Sequence, residues 1–323
     1  MNELTLQYIL MKKKNLFSKL WLKHTDRPAY KEYKWLLANY EDIEFKRFIT
    51  GTQRLSNYSK IEAYAAVHKK INFNHSGNSG DIIYALPTIR EVHELTGVDT
   101  SLYFRLNQPL KLAQGLTHPL GDVMLNQKMV DMLIPLIKAQ PYITDCGVNV
   151  DHQIDIDLDY FRSGPVPQDK GNIARWCGYI TGVTPVLWKK WLTVEPNNDY
   201  NNTIVVARSE RYRNPLVSYK FLSKKTNLVF VGVKSEYDDM KKVIPDIKWV
   251  QVNDFLELAQ IIAGCKLFIG NQSFPFSLAE GLKVPRILEV CFDVINVVPE
   301  GEGGNDFFFQ DHFEVLVARL AGE

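Results

Sequence analysis

Three short stretches hold the side chains best suited to chemistry. The first, HSGNSGD, runs from His75 to Asp81 and opens the amphipathic run IIYALPTIREVHELTG. Its glycines, Gly77 and Gly80, let the backbone turn tightly and come close to a ligand. The spacing fits neither the P-loop, which needs a lysine and a hydroxyl after its last glycine, nor the GxGxxG dinucleotide fingerprint. An acid at a helix mouth repels phosphate, so Asp81 suits another task. As a general base it could take a proton from a hydroxyl nucleophile, with His75, Asn78, Ser79 and Gly80 as substrate contacts around it. An aspartate in a first helical turn is also favoured by the helix dipole alone.

The second stretch, VVARSERYRNP, carries Arg208, Arg211 and Arg213 from a strand end into a loop. Three guanidinium groups there suit a diphosphate, and a surface cluster paired with carboxylates is the plain alternative. Arg208, directly off the strand, is the favoured ligand. The third is FIGNQSFPFSLAEGLKVPRILEV, residues 268–290. It reads as strand, glycine, polar triplet and helix, with Ser273 as the N-cap and Pro275 where an early helical proline is tolerated. The helix amino end is an anion site. Asn271, Gln272 and Ser273 offer neutral hydrogen bonds to phosphate or sugar hydroxyls, and Glu280 lies about two turns into the helix.

These stretches need a frame. From Ile71 onward, short β-rich runs alternate with amphipathic ones: INFN and a helix over 81–96, SLYFRL at 101–106, a helix over 127–140, IDIDL at 154–158 and a helix over 171–183. The segment VEPNNDYNNT, rich in Asn and poor in apolar residues, predicts a linker over 194–202. A second series follows, with strands TIVVAR, NLVFVGV, KWVQV, KLFIG and PRILEV and helices at ELAQIIAGC and FPFSLAEGL. Such alternation predicts an α/β protein of two doubly wound, Rossmann-like domains, 70–193 and 203–323, facing a cleft. In such sheets ligands bind beyond the carboxyl ends of the strands.

Residues 1–69 read as a basic helical extension. The first 70 residues hold 14 Lys and Arg against 7 Asp and Glu, whereas the remainder is net acidic. That balance suits an acidic partner, nucleic acid or an anionic membrane surface, or it is a solvated helical face. With 323 residues, 46% of them hydrophobic, the chain can fill two cores. No uninterrupted apolar run of about 18 residues occurs, so no membrane span is expected. The basic cluster of MNELTLQYILMKKKNLF follows its apolar stretch, the wrong order for a secretory signal, which predicts a cytoplasmic protein. Cys146, Cys177, Cys265 and Cys291 form no CxxC pair and are expected as buried apolar residues. The histidines lack metal-ligand spacing, so no metal or other cofactor is expected.

GDIIYALPTIREV resembles the amino-terminal motif of the heptosyltransferase-like glycosyltransferases, and LAQIIAGCKLFIGNQSFPFSLAEGLKVP resembles their donor-site segment. The two matches cover about a quarter of the chain, in the right order. The resemblance implies the GT-B architecture, with an acceptor-binding first domain and a nucleotide-sugar-binding second one. It also implies inverting, metal-independent transfer of a sugar to a hydroxyl acceptor on a glycan or other molecule, with Asp81 as base; the residues read above, Arg208, Arg211, Arg213, Asn271, Gln272 and Ser273, are then expected around the donor, with Glu280 either beside it or no more than a solvated or packed carboxylate. Gln272, Ser273, Phe274 and Ser277 depart from the family pattern, so the donor is left open. The rival readings are a nucleotide-sugar epimerase of the same fold and a non-catalytic sugar- or nucleic-acid-binding module.

Overall fold

A computed structural model describes residues 14–37, 55–110, 121, 123–162 and 166–322. The chain divides into two compact units, Met1–Arg54 with Tyr160–Val166, and Leu55–Asp159 with Pro167–Glu323. The first unit contains helix α1 (Leu16–Thr25), capped by Asn15 Oδ1 on the Ser18 N–H, and a further helical run over 27–37. Residues 1–13 and 38–54, part of the expected basic extension, lie outside the described residues.

Both sheets belong to the second unit. Helix α2 (Tyr58–Val67) precedes β1 (Lys70–His75), α3 (Ser79–Thr96), β2 (Asp99–Phe104), α4 (Gln127–Lys138), β3 (Asp145–Val148), β4 (Ile156–Asp157) and α5 (Ile173–Thr181). The second series runs β5 (Ile204–Ala207), β6 (Leu228–Val231), α6 (Lys234–Val243), β7 (Lys248–Val250), α7 (Phe255–Gly264), β8 (Leu267–Asn271), α8 (Phe274–Leu282), β9 (Arg286–Glu289), β10 (Gly304–Phe307) and α9 (Gln310–Ala321).

Every strand pairing is parallel. The first sheet has the order β3-β2-β1-β4 and the second β10-β9-β8-β5-β6-β7. Counted from its own first strand, the second order is 3-2-1-4-5-6, the doubly wound arrangement, and the first repeats its opening 3-2-1-4. The strand order therefore reverses between β1 and β4, and again between β5 and β8; in sheets of this kind ligands bind beyond the carboxyl ends of the strands at such a reversal.

Local sequence explains the elements. β1 ends in three buried residues, as a strand covered on both faces should. Asn57, Asn126 and Asn172 cap α2, α4 and α5 through their side-chain oxygens. Asp254 caps α7 by accepting the Glu257 N–H at 2.9 Å, and Glu257 in turn accepts the N–H of Asn253, the residue before the cap, at 2.7 Å. The second core packs Val206, Phe230, Ile269 and Ile287 from the sheet against Phe313 and Val317 from α9. All four cysteines are buried and free.

Several boundaries differ from the sequence reading. IDIDL yields only the two-residue β4, and SLYFRL stops at Phe104. The sequence reading missed β3, β10, α6 and α9: DCGV and GNDF lack β-branched runs, and three of the four residues of the latter are glycine or polar. The segment expected as a linker is docked: the Asn197 N–H donates to the Gln260 carbonyl at 2.9 Å, and a Cβ on Gly264 would come within 2.0 Å of the Asn197 oxygen. Gly264→Ala must therefore push this segment off α7 and is expected to lose about 1–3 kcal/mol, read from the urea midpoint.

Candidate functional site

The site begins where β1 turns into α3. Asn78 is the N-cap by backbone geometry, without a side-chain capping bond, which leaves Ser79, Gly80 and Asp81 as the first turn. Asp81 is partly exposed and is the only acid in that turn. His75 is fully buried, and its Nδ1 accepts the Gly77 N–H at 3.0 Å. An imidazole accepting at Nδ1 carries its proton on Nε2. His75 thus shapes the turn from inside, while Asn78, Ser79 and Gly80 reach the partly exposed rim.

Two residues that sequence reasoning missed hold this loop. Asp159 accepts the Ser76 N–H at 3.0 Å with one oxygen and Asn74 Nδ2 at 3.2 Å with the other. Asp157 accepts the same Asn74 amide at 3.0 Å, and Arg105 lies 3.4 Å from its other oxygen. Further back, Asp155 ties Tyr64 of α2 (2.6 Å) to the Asn72 N–H of β1 (2.8 Å). The signal was in the spacing: carboxylates alternating through DIDLD share one side of an extended chain. Among the described residues no group of three or more His, Cys, Asp or Glu is placed to hold a metal ion.

The second half of the site is the loop after β5, folded onto the end of β8. Asn271 is fully buried and acts as its staple: Oδ1 accepts the Ser209 N–H at 2.9 Å, and Nδ2 donates to the carbonyls of Ser209 (3.0 Å) and Arg211 (2.7 Å). Arg208 gives Nε and Nη2 to the buried carboxylate of Glu289, both at 2.7 Å, and stacks over Tyr219. Glu289 also accepts the Asn214 N–H at 2.6 Å and the Tyr219 hydroxyl at 2.9 Å. The Arg208–Glu289 unit is electrically neutral, so it brings no net charge to an anion. Arg213 pairs with Asp239 at 3.2 Å and donates Nε to the Ser209 carbonyl. Arg211 lies over the Tyr212 ring and has no carboxylate partner among the described residues.

Gln272 and Glu280 are likewise engaged within the fold. Gln272 donates to the Val294 carbonyl (2.8 Å) and Asn296 (2.9 Å). Glu280 is buried between Lys283 and Arg286 and accepts the Glu300 N–H at 3.0 Å. Ser273 has N-cap backbone geometry, but its hydroxyl donates to the Asn271 carbonyl instead of capping α8, and Pro275 takes an early position as expected.

The two halves touch at their helix starts. A Cβ built on Gly80 would stand 3.8 Å from the Cα of Phe274, so the first turns of α3 and α8 are in contact. About one turn further on, burial and then the field of Glu280 push the Tyr84 phenol well above its ordinary value; Arg286 opposes this and Asp81 adds to it. At the far end of α8, burial holds the Lys283 ammonium down to about 8, against the pull of Glu280.

No protein-family model and no curated protein matches the sequence. The fold matches solved glycosyltransferases. With the E. coli heptosyltransferase WaaC, solved with ADP, the chain shares 9% identity over 78% of its own length and 99% of that protein's, at a TM-score of 0.54. A glycosyl transferase family 9 protein from Veillonella parvula matches at 11% identity, 78% and 88% coverage and a TM-score of 0.48. The E. coli ADP-heptose LPS heptosyltransferase II matches at 10% identity, 78% and 98% coverage and 0.49. The chain has the parallel-sheet α/β fold of WaaC.

Two outcomes follow from the buried charges. Glu289→Ala leaves Arg208 without its partner and is expected to lose about 3–5 kcal/mol of stability by chemical denaturation, with or without nucleotide. Lys283 binds its proton less tightly folded than unfolded, so between about pH 8 and its unfolded value the unfolded chain holds more protons. The stability of wild type relative to Lys283→Met is therefore expected to rise with pH across that window and to level off below it.

Proposed function

We propose that this chain is a cytoplasmic GT-B glycosyltransferase that moves a sugar from a nucleotide-sugar donor to a hydroxyl acceptor, with inversion and without a metal ion. The observation that carries the reading is the contact between the first turns of α3 and α8, each beside its own sheet's reversal point, in a chain with the fold of WaaC. The first sheet's half, 70–193, would receive the acceptor, and the second, 203–323, the donor.

In this reading Asp81 accepts the proton of the acceptor hydroxyl as its oxygen attacks the anomeric carbon. The bond to the diphosphate breaks, and its electron pair leaves with the nucleoside diphosphate. Negative charge grows on that leaving group, so fixed positive groups aimed at it lower the barrier. Arg211, without a carboxylate partner among the described residues, is the best suited, since Arg208 is neutralised by Glu289 and keeps only Nη1 for a ligand, and Arg213 is paired with Asp239. The amino end of α8 adds its dipole, while Asn271 and Gln272 hold the loops that present these groups. Asn78, Ser79 and Gly80 line the acceptor side.

A thermal-shift screen of nucleoside diphosphates and nucleotide sugars identifies the donor, since a ligand bound only by the native state raises its melting temperature. With that donor, Asp81→Asn keeps shape but removes the base, and its turnover is expected to fall by about 100- to 10,000-fold with donor binding intact. Wild-type turnover by a folded, donor-binding Asp81→Asn protein would leave Asp81 as a helix-dipole partner. Transfer should also persist in a chelator.

A further inference from the structure

Helix α1 turns its apolar side outward. Leu16, Phe17, Leu20 and Trp21 are 69%, 82%, 47% and 69% exposed, and none of the ten residues of α1 is buried. At 3.6 residues per turn these four positions fall on one arc. Lys19 and Lys23 lie on the border of that arc beside Leu16. The helical run over 27–37 adds an exposed Trp35. Across 14–37 the charges are Lys14, Lys19, Lys23, Arg27, Lys31 and Lys34 against Asp26 and Glu32 alone.

We propose that this surface seats the protein on an anionic lipid bilayer, with Phe17, Leu20 and Trp21 in the headgroup boundary and the lysines on the lipid phosphates. A helix with bulky apolar residues on one side and basic residues beside them lies in the plane of the interface, about 5–10 Å deep. Tryptophan favours that depth because its ring is amphipathic, and lysine stems reach past apolar surface to place the ammonium in water. Charge complementarity selects the anionic lipid. A nucleic acid would engage the lysines and gain nothing from an outward Leu-Phe-Trp patch. A second copy of the chain needs about 800 Å² from each partner, more than one face of a helix about 15 Å long supplies. The proposal does not depend on the sugar-transfer reading.

The test is co-sedimentation of the full chain with vesicles of phosphatidylcholine alone or mixed with phosphatidylglycerol. Two variants separate the contributions: Phe17→Ser with Trp21→Ser keeps every charge, and Lys19→Gln with Lys23→Gln keeps the apolar arc. Because these side chains are exposed or half-exposed, both variants should retain the wild-type circular dichroism and melting curve. Wild type is expected to bind the mixed vesicles, more weakly as salt rises, and each variant to bind them at least about tenfold less tightly. Absence of wild-type binding overturns the proposal. So does undiminished binding by the Phe17/Trp21 variant, or tighter binding to single-stranded RNA that is lost only in the lysine variant.

Discussion

Two helix amino ends, α3 and α8, begin within contact of one another, and each carries about half a positive charge. Like ends side by side repel, so something in the fold must hold them together. The parallel sheets set the positions of the helices, and burial along α3 holds them: Ile82, Ile83, Ala85, Leu86 and Ile89 are fully buried. One carboxylate, Asp81, lies in the two first turns, and α8 supplies none. Its charge offsets the dipole of α3, which gives it a structural reason to exist alongside the proposed catalytic one. The amino end of α8, with no acid in its first turn, is the one that would draw an anionic diphosphate.

The loop after β5 is organised by a buried carboxylate. Glu289 receives four hydrogen bonds, from Arg208, Asn214 and Tyr219, and so fixes where the chain after β5 can go. Asn271 then ties that loop to the end of β8. Burying such groups is costly unless each is paired, and here each is. On the other side, Asp157 and Asp159 do the same work for the turn after β1. In both halves carboxylates at strand ends hold the loop that a ligand would meet, Glu289 buried and Asp157 and Asp159 partly exposed.

Much of this was legible in the sequence. The strand-helix alternation gave the parallel sheets, Ser273 and Pro275 marked the start of α8, and the glycine loops fell at strand ends beside the reversal points, whereas the Asn caps of α2, α4 and α5 went unread. The roles of individual polar residues were not. Arg208, Gln272 and Glu280 read as ligands because their types suit a diphosphate, yet a side chain's partner is set by tertiary packing that local spacing does not encode. Glu289 and Arg286, charges inside the apolar run PRILEV, were the clue that buried pairing was present. The DIDLD carboxylates were hidden by the ordinary look of a strand end, and DCGV by a composition poor in strand formers. The exposed apolar arc of α1 went unread, because the excess of Lys and Arg over residues 1–69 drew the reading to charge alone.

The central proposal is that the loops after β1 and β8 meet in one active site, the first receiving the acceptor and the second the nucleotide. Amide hydrogen exchange, followed with and without the nucleoside diphosphate that most stabilises the protein, tests it directly. The account predicts slowed exchange in both 75–81 and 270–277, with 208–214 protected alongside them. Protection confined to other parts of the chain, with these loops unchanged under saturating nucleotide, would contradict it.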